Sequence, residues 1–384
     1  MALHFTRQEF AQRQKALQKA LRGQGLDGIL LFRQESMYYL SGYDTFGYVF
    51  FQCMFFGKDG GPVLLTRSPD LRQAKHTSTL EDIRIWVDGP DANPAAELKT
   101  ILDERGLKTA TLGVEWDAYG LTAANGMKLT AALDGFCVLQ DASILISQMR
   151  VVKSESEIKF VRRAAELADD AYDQAVKLTK SGADEGDILA AMQGAVFKGG
   201  GDYPGNEFII GSGPDALLCR YFSGRRKLDT QDQLTLEWAG VYRHYHAAMM
   251  RTLIVGNVSS EQQKMHETAF AALAAVKQQI KPGNTFGDAF QAHATTIDQA
   301  GMSEHRLNAC GYSLGTTFAP NWMDWPMLYA DNPVKFQPGM TIFCHMIIYD
   351  SGLGLAVTLG ETVLVTNDGH QRLSRSPLDL VVTG

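Results

Sequence analysis

Apolar residues recur at helical spacing over residues 6–24, with Thr6 placed as an N-cap and Gln8 and Glu9 in the first turn. Short apolar runs follow, DGILLF (27–32) and GPVLLT (61–66), alternating with charged stretches such as 95–105 whose spacing predicts helix. The alternation continues through TLGVEWD (111–117) and LTAANGMKLTAAL (121–133). This pattern predicts an α/β domain over about the first 140 residues.

After Lys153 the pattern changes. Ser154 followed by Glu157 makes a capping box, and apolar residues then recur at helical spacing to about residue 179. Further helices are predicted at 186–197, 260–280 and 285–301, and β-rich stretches at 207–211, 234–257 and 340–366. Strands grouped in hairpins with helices packed on them predict an α+β fold. The boundary falls near 145–152, giving domains 1–148 and 149–384. Residues 234–252, LTLEWAGVYRHYHAAMMRT, read as two strands around a turn at Gly240. In such a hairpin Glu237 and Ala248 face each other across the ladder. A second acid, Glu361, sits in the apolar run LGETVLV. A buried acid is expensive unless it is paired, protonated or functional, so both glutamates are candidate site residues.

Composition narrows the function. The 384 residues exceed one ordinary core. A net charge of −7 without a basic run argues against nucleic acid or anionic membrane as partner. No apolar stretch reaches the roughly 20 residues of a membrane span, and the N-terminus lacks the basic-then-apolar order of a signal peptide. The five scattered cysteines show no C-x-x-C spacing, which suits reduced thiols in the cytoplasm. The glycines at 199–201 are not followed by the Lys-Ser/Thr of a phosphate loop.

Several strings resemble the creatinase/prolidase/aminopeptidase P superfamily. MYYLSGYD (37–44) is similar to its N-terminal domain signature, and RVVKSESEI (150–158) to the start of its C-terminal pita-bread domain. EWAGVYRHYHAAMMRTLIVG (237–256), GYSLGTTFAPNW (311–322), PGMTIFCHMIIYD (338–350) and GETVLVTNDG (360–369) resemble the segments that carry its metal ligands. The resemblance implies a smaller α/β domain followed by a pita-bread domain. The five ligands of the metallopeptidases, two Asp, one His and two Glu, fall on Glu237, Ala248, Tyr312, His345 and Glu361. Alanine has no donor atom and neutral tyrosine is a poor ligand, so no metal and no cofactor is expected.

The chain is most similar to the metal-free branch, creatinase and above all ectoine hydrolase, through Ala239–Gly240, Arg243, Tyr245–His246, Arg251–Thr252, GGDYP (200–204), Pro320 and Trp322. Both enzymes keep a histidine where this chain has Arg220. A pocket that keeps carboxylates and loses its metal ions suits a planar cation such as an amidinium. The expected activity is metal-independent hydrolysis of a non-peptide C–N bond in a small zwitterionic amidine or amide. The alternatives are a creatinase-like amidinohydrolase, an Xaa-Pro peptidase or a non-catalytic pseudo-peptidase that binds a partner. The expected catalytic residues are Glu237 as nucleophile or base, His246 or His345 for proton transfer, and Glu361 to hold the amidinium. Arg220 would bind a substrate carboxylate, with Tyr312, Trp322 and Trp325 around the substrate. The resemblance further implies a cytoplasmic homodimer, with Tyr43, Phe46 and Tyr48 reaching the other subunit's pocket.

Overall fold

The computed structural model describes residues 3–220 and 225–384. The chain divides into two compact units, Met1–Arg150 and Val151–Gly384.

In the first unit the strands are β1 (Gly28–Leu31), β2 (Cys53–Gly57), β3 (Val63–Arg67), β4 (Asp82–Trp86), β5 (Thr111–Val114) and β6 (Val138–Asp141). The helices are α1 (Arg7–Gly23), α2 (Gln34–Ser41), α3 (Asp70–Thr77), α4 (Pro94–Glu104), α5 (Ala123–Leu133) and α6 (Leu145–Arg150). The strands form one mixed sheet in the order β4-β3-β2-β1-β5-β6. The Thr6 side chain accepts from the Glu9 amide, as the N-cap reading requires. Tyr43 is buried and its hydroxyl donates to Gln52, so it belongs to this unit's core. Tyr48 is also buried, whereas Phe46 is 78% exposed.

The second unit opens with α7 (Glu155–Leu178), whose capping box joins Ser154 and Glu157, and α8 (Glu185–Lys198). The hairpin of β8 (Asp232–Tyr242) and β9 (Tyr245–Val255) follows β7 (Ile209–Ser212). Then come α9 (Ser260–Gln279), α10 (Phe286–Gln299), β10 (Ala309–Ser313), β11 (Asp324–Tyr329), β12 (Thr341–Asp350) and β13 (Leu355–Val365). The short β14 (His370–Arg372) and β15 (Val381–Thr383) pair with β13 and β9. The main order is β11-β10-β12-β13-β9-β8-β7. Helix α7 packs on β8 and β9, and α9 on β12 and β13, so one face of the sheet is covered by helices. Among the described residues no helix is long and apolar enough to cross a membrane.

The hairpin turns elsewhere than the glycine suggests. Arg243 and His244 make the two-residue turn, with φ of 51° and 64°, the positive pair of a type I′ turn. Asp202 accepts from both turn amides and offsets the strain of these side chains at positive φ. Gly240 lies mid-strand beneath α7, where a Cβ would come within 1.9 Å of the Ala164 carbonyl oxygen. It serves a close helix approach rather than the turn. The register follows from this. Glu237 pairs with Met250 and Ala248 with Ala239, so Glu237 and Ala248 share a face as offset neighbours and do not stand opposite.

Candidate active site

Pairing across the sheet defines one row of residues on the face opposite the helices. Glu237 pairs with Met250, Met250 with Gly360, and Gly360 with His345. Side chains alternate faces along a strand, so these four project to the same side. On β12, Phe343 shares this face with His345, and Tyr312 of β10 pairs with Phe343. Four strand spacings separate β10 from β8, ~19 Å in a flat sheet. Yet the Tyr312 hydroxyl reaches within 3.4 Å of Glu237 Oε1. The sheet is therefore strongly curved, and its inner face forms a concavity in which side chains from distant strands meet.

Glu237 lies in this concavity, and burial pushes its carboxyl up to about 7, opposed by the Arg220 charge and the Tyr312 hydrogen bond. The Tyr312 hydroxyl accepts from the Trp322 indole N–H at 2.9 Å and donates to Glu237. The indole occupies an acceptor lone pair of that oxygen and turns its single proton toward the carboxylate. At 3.4 Å the bond is long for O–H···O. The His345 ring lies tilted against that of Tyr312, 5.6 Å between centroids, and its Nδ1 is buried with no hydrogen-bond partner among the described residues. Burial and the charges of His293 and Arg220 push it down to about 3, so it is a neutral imidazole at pH 7. Arg220 is itself exposed, and its charge acts on Glu237, Tyr312 and His345 together.

Glu361 is not part of this site. It pairs with Cys344, one residue out of step with His345, and so projects to the helix-covered face. There it is fully buried and accepts from Lys277 Nζ of α9 at 2.7 Å and from Arg372 Nε. Two cations already neutralise it, which leaves no capacity to hold an amidinium. The residue in the row is Gly360, where a Cβ would meet the Phe343 ring at 2.9 Å and Met250 Cβ at 3.1 Å. Gly360→Ala is accordingly expected to destabilise the protein by about 1–3 kcal/mol, measured by urea unfolding.

His246 also departs from its expected role. Its Nε2 accepts from the Gly205 amide at 2.8 Å, and its Nδ1 lies 3.2 Å from the Thr317 hydroxyl. Since Nε2 is an acceptor, Nδ1 carries the proton and donates to Thr317. Burial pushes the ring down to about 3. With both nitrogens engaged and the ring held neutral, it anchors the 201–206 loop and cannot shuttle protons. Trp322 joins the core cluster that contains Tyr312 and Phe343, whereas Trp325 packs against the cluster under α9 and α10, away from the inner face.

Two residues that sequence reasoning missed share the inner face. Tyr349 lies four residues beyond His345 on β12, and Thr235 two before Glu237 on β8. Period-two alternation from His345 and Glu237 points to both.

A metal site does not fit this row. Among the described residues no group of three or more His, Cys, Asp or Glu side chains is placed to hold an ion. The row offers a carboxylate, a thioether, a glycine and an imidazole, with Ala248 and Tyr312 beside it. That set lacks the clustered carboxylates that bind paired divalent ions.

Residues 159–367 match metallopeptidase family M24, and residues 13–152 match the creatinase/prolidase N-terminal domain. The ectoine hydrolase of Halomonas elongata is 27% identical over 100% of this chain and 99% of its own. An Xaa-Pro dipeptidase of Pyrococcus horikoshii is 24% identical over 93% of this chain and 95% of its own. Among solved structures, the prolidase from Thermococcus sibiricus superposes with a TM-score of 0.88 at 20% identity, covering 97% of this chain and 99% of its own. The dipeptidase PepE from Mycobacterium ulcerans gives 0.85 at 24% identity, covering 98% and 99%. These likenesses show the fold: a pita-bread domain preceded by a creatinase-type N-terminal domain.

Proposed function

Because the chain belongs to metallopeptidase family M24 while its inner row offers no set of metal donors, we propose that it is a metal-independent hydrolase of a non-peptide C–N bond. The substrate class is a small zwitterion carrying an amidine or amide, and ectoine-like compounds fit best. The observation that carries this reading is Glu237 raised to about 7, hydrogen-bonded by Tyr312 and facing a concavity whose other row members carry no charge. A carboxyl near neutrality is matched to general-base work at physiological pH.

Glu237 takes a proton from a water molecule as its oxygen attacks the amidine carbon. The same proton then passes to the departing nitrogen as the C–N bond breaks. Tyr312, held by Trp322, donates to Glu237 and aligns its carboxylate. Neutral His345 offers a hydrogen-bonding nitrogen to the substrate, and the Arg220 charge favours a substrate that also bears a carboxylate. The relative named ectoine hydrolase supports the substrate class, and relatives named Xaa-Pro dipeptidase define the rival.

Proton-NMR turnover by chelator-treated protein on ectoine, creatine and a Gly-Pro dipeptide tests the proposal. Hydrolysis of ectoine or creatine that persists without metal is the expected result. Hydrolysis of Gly-Pro alone, and only after a divalent ion is restored, would overturn it.

A further inference from the structure

Buried polar atoms without a hydrogen-bond partner are rare in folded proteins, and each calls for an explanation. Among the described residues three of them lie on the inner face near Glu237: Thr235 Oγ1, Tyr349 OH and His345 Nδ1. Their neighbours show that the sheet itself can satisfy such groups. In the Thr235 row, the Thr252 and Thr358 hydroxyls lie 3.2 Å apart, and Thr252 Oγ1 accepts the Thr358 amide at 2.9 Å. Thr235, only 2% exposed, has no such bond. Burial and the Glu237 charge raise the Tyr349 phenol, as does Cys219, so this hydroxyl stays protonated and able to donate. Cys219 precedes Arg220, whose charge also acts on Glu237.

We propose that the hydroxyls of Thr235 and Tyr349, with the Arg220 guanidinium, form an anion subsite that binds the substrate's carboxylate beside the C–N bond presented to Glu237. Two neutral donors and a cation suit a carboxylate, and no acidic side chain shares their rows. Thr235 and Glu237 are two residues apart on one face, ~7 Å along the strand. The substrate's carboxylate therefore lies only a few bonds from its reacting carbon, a spacing that a compact zwitterion provides. This inference rests on the reading of Glu237 given above and specifies the other end of the same substrate.

Calorimetric titration with two probes separates the subsite from that reading. Guanidinoacetate carries both charges, and the guanidinium ion carries only the cation. Thr235→Val and Tyr349→Phe should each weaken guanidinoacetate about 5–15-fold and leave guanidinium binding unchanged. Both variants should melt at or above the wild-type temperature, because each removes a buried hydroxyl that nothing satisfies. Glu237→Gln should weaken both probes. Variants that bind guanidinoacetate as the wild type does would overturn the subsite, as would a wild type that takes up neither probe or does not prefer guanidinoacetate. If guanidinium binding proves indifferent to Glu237→Gln, the catalytic reading fails, while the effect of the two hydroxyl variants still decides the subsite.

Discussion

Glu237→Gln is expected to lower kcat/KM by ~10²–10⁴-fold, the span of a positioned general base, and at the same time to stabilise the protein above neutrality. Burial raises this carboxyl from 4.5 to about 7. The folded protein therefore keeps a proton that the unfolded chain has already lost between those two values. Stability falls as pH rises across that window and levels off above it. The shift corresponds to a penalty of about 3 kcal/mol at pH 8, an upper figure because Glu237 keeps some contact with solvent. Glutamine carries no such penalty. Urea unfolding at pH 5 and pH 8 should show the wild type losing stability relative to the variant between them. The wild-type activity should rise with pH through about 7, as the base must be ionised to accept a proton. A variant equally active, or one whose stability tracks the wild type at both pH values, contradicts the role and the environment assigned to Glu237.

Glu361→Ala is expected to have the opposite signature, a large loss of stability with turnover per folded molecule nearly retained. The substitution leaves Lys277 and Arg372 without the carboxylate they share, with side chains 15% and 33% exposed around a fully buried partner. Breaking a buried pair by removing one member typically costs about 3–5 kcal/mol, because the remaining charge is uncompensated. Arg372 also donates to the Ser376 carbonyl, so the loss should loosen the β14 segment as well. Urea unfolding at pH 7 together with activity below the unfolding transition checks both halves. Loss of activity without loss of stability would return Glu361 to the site.

The contrast between these two glutamates shows what the sequence reveals. Local signals were legible, such as the capping box at Ser154 and Glu157 and the Thr6 N-cap. Glu237 was legible as a buried acid in a strand. Register was not. A slip of one residue moves a strand side chain to the other face, and this places Glu361 on the helix side while Gly360 takes its place in the row. Gly240 suggested the hairpin turn because glycine commonly marks one, but here it admits α7 against the sheet. His246 suggested proton transfer because a histidine titrates near neutrality, yet its partners Gly205 and Thr317 lie 41 and 71 residues away in the chain. Tyr349 and Thr235 carry no motif. Only period-two alternation from His345 and Glu237 points to them.

The central claim is that Glu237 and Tyr312 act in a concavity that has given up its metal donors. Calorimetric titration of the chelator-treated protein with Mn²⁺, Co²⁺ and Zn²⁺ tests it most directly. No stoichiometric binding, with Glu237→Gln indistinguishable from the wild type, is the predicted result. Uptake of one or two ions per chain that disappears in Glu237→Gln would contradict it.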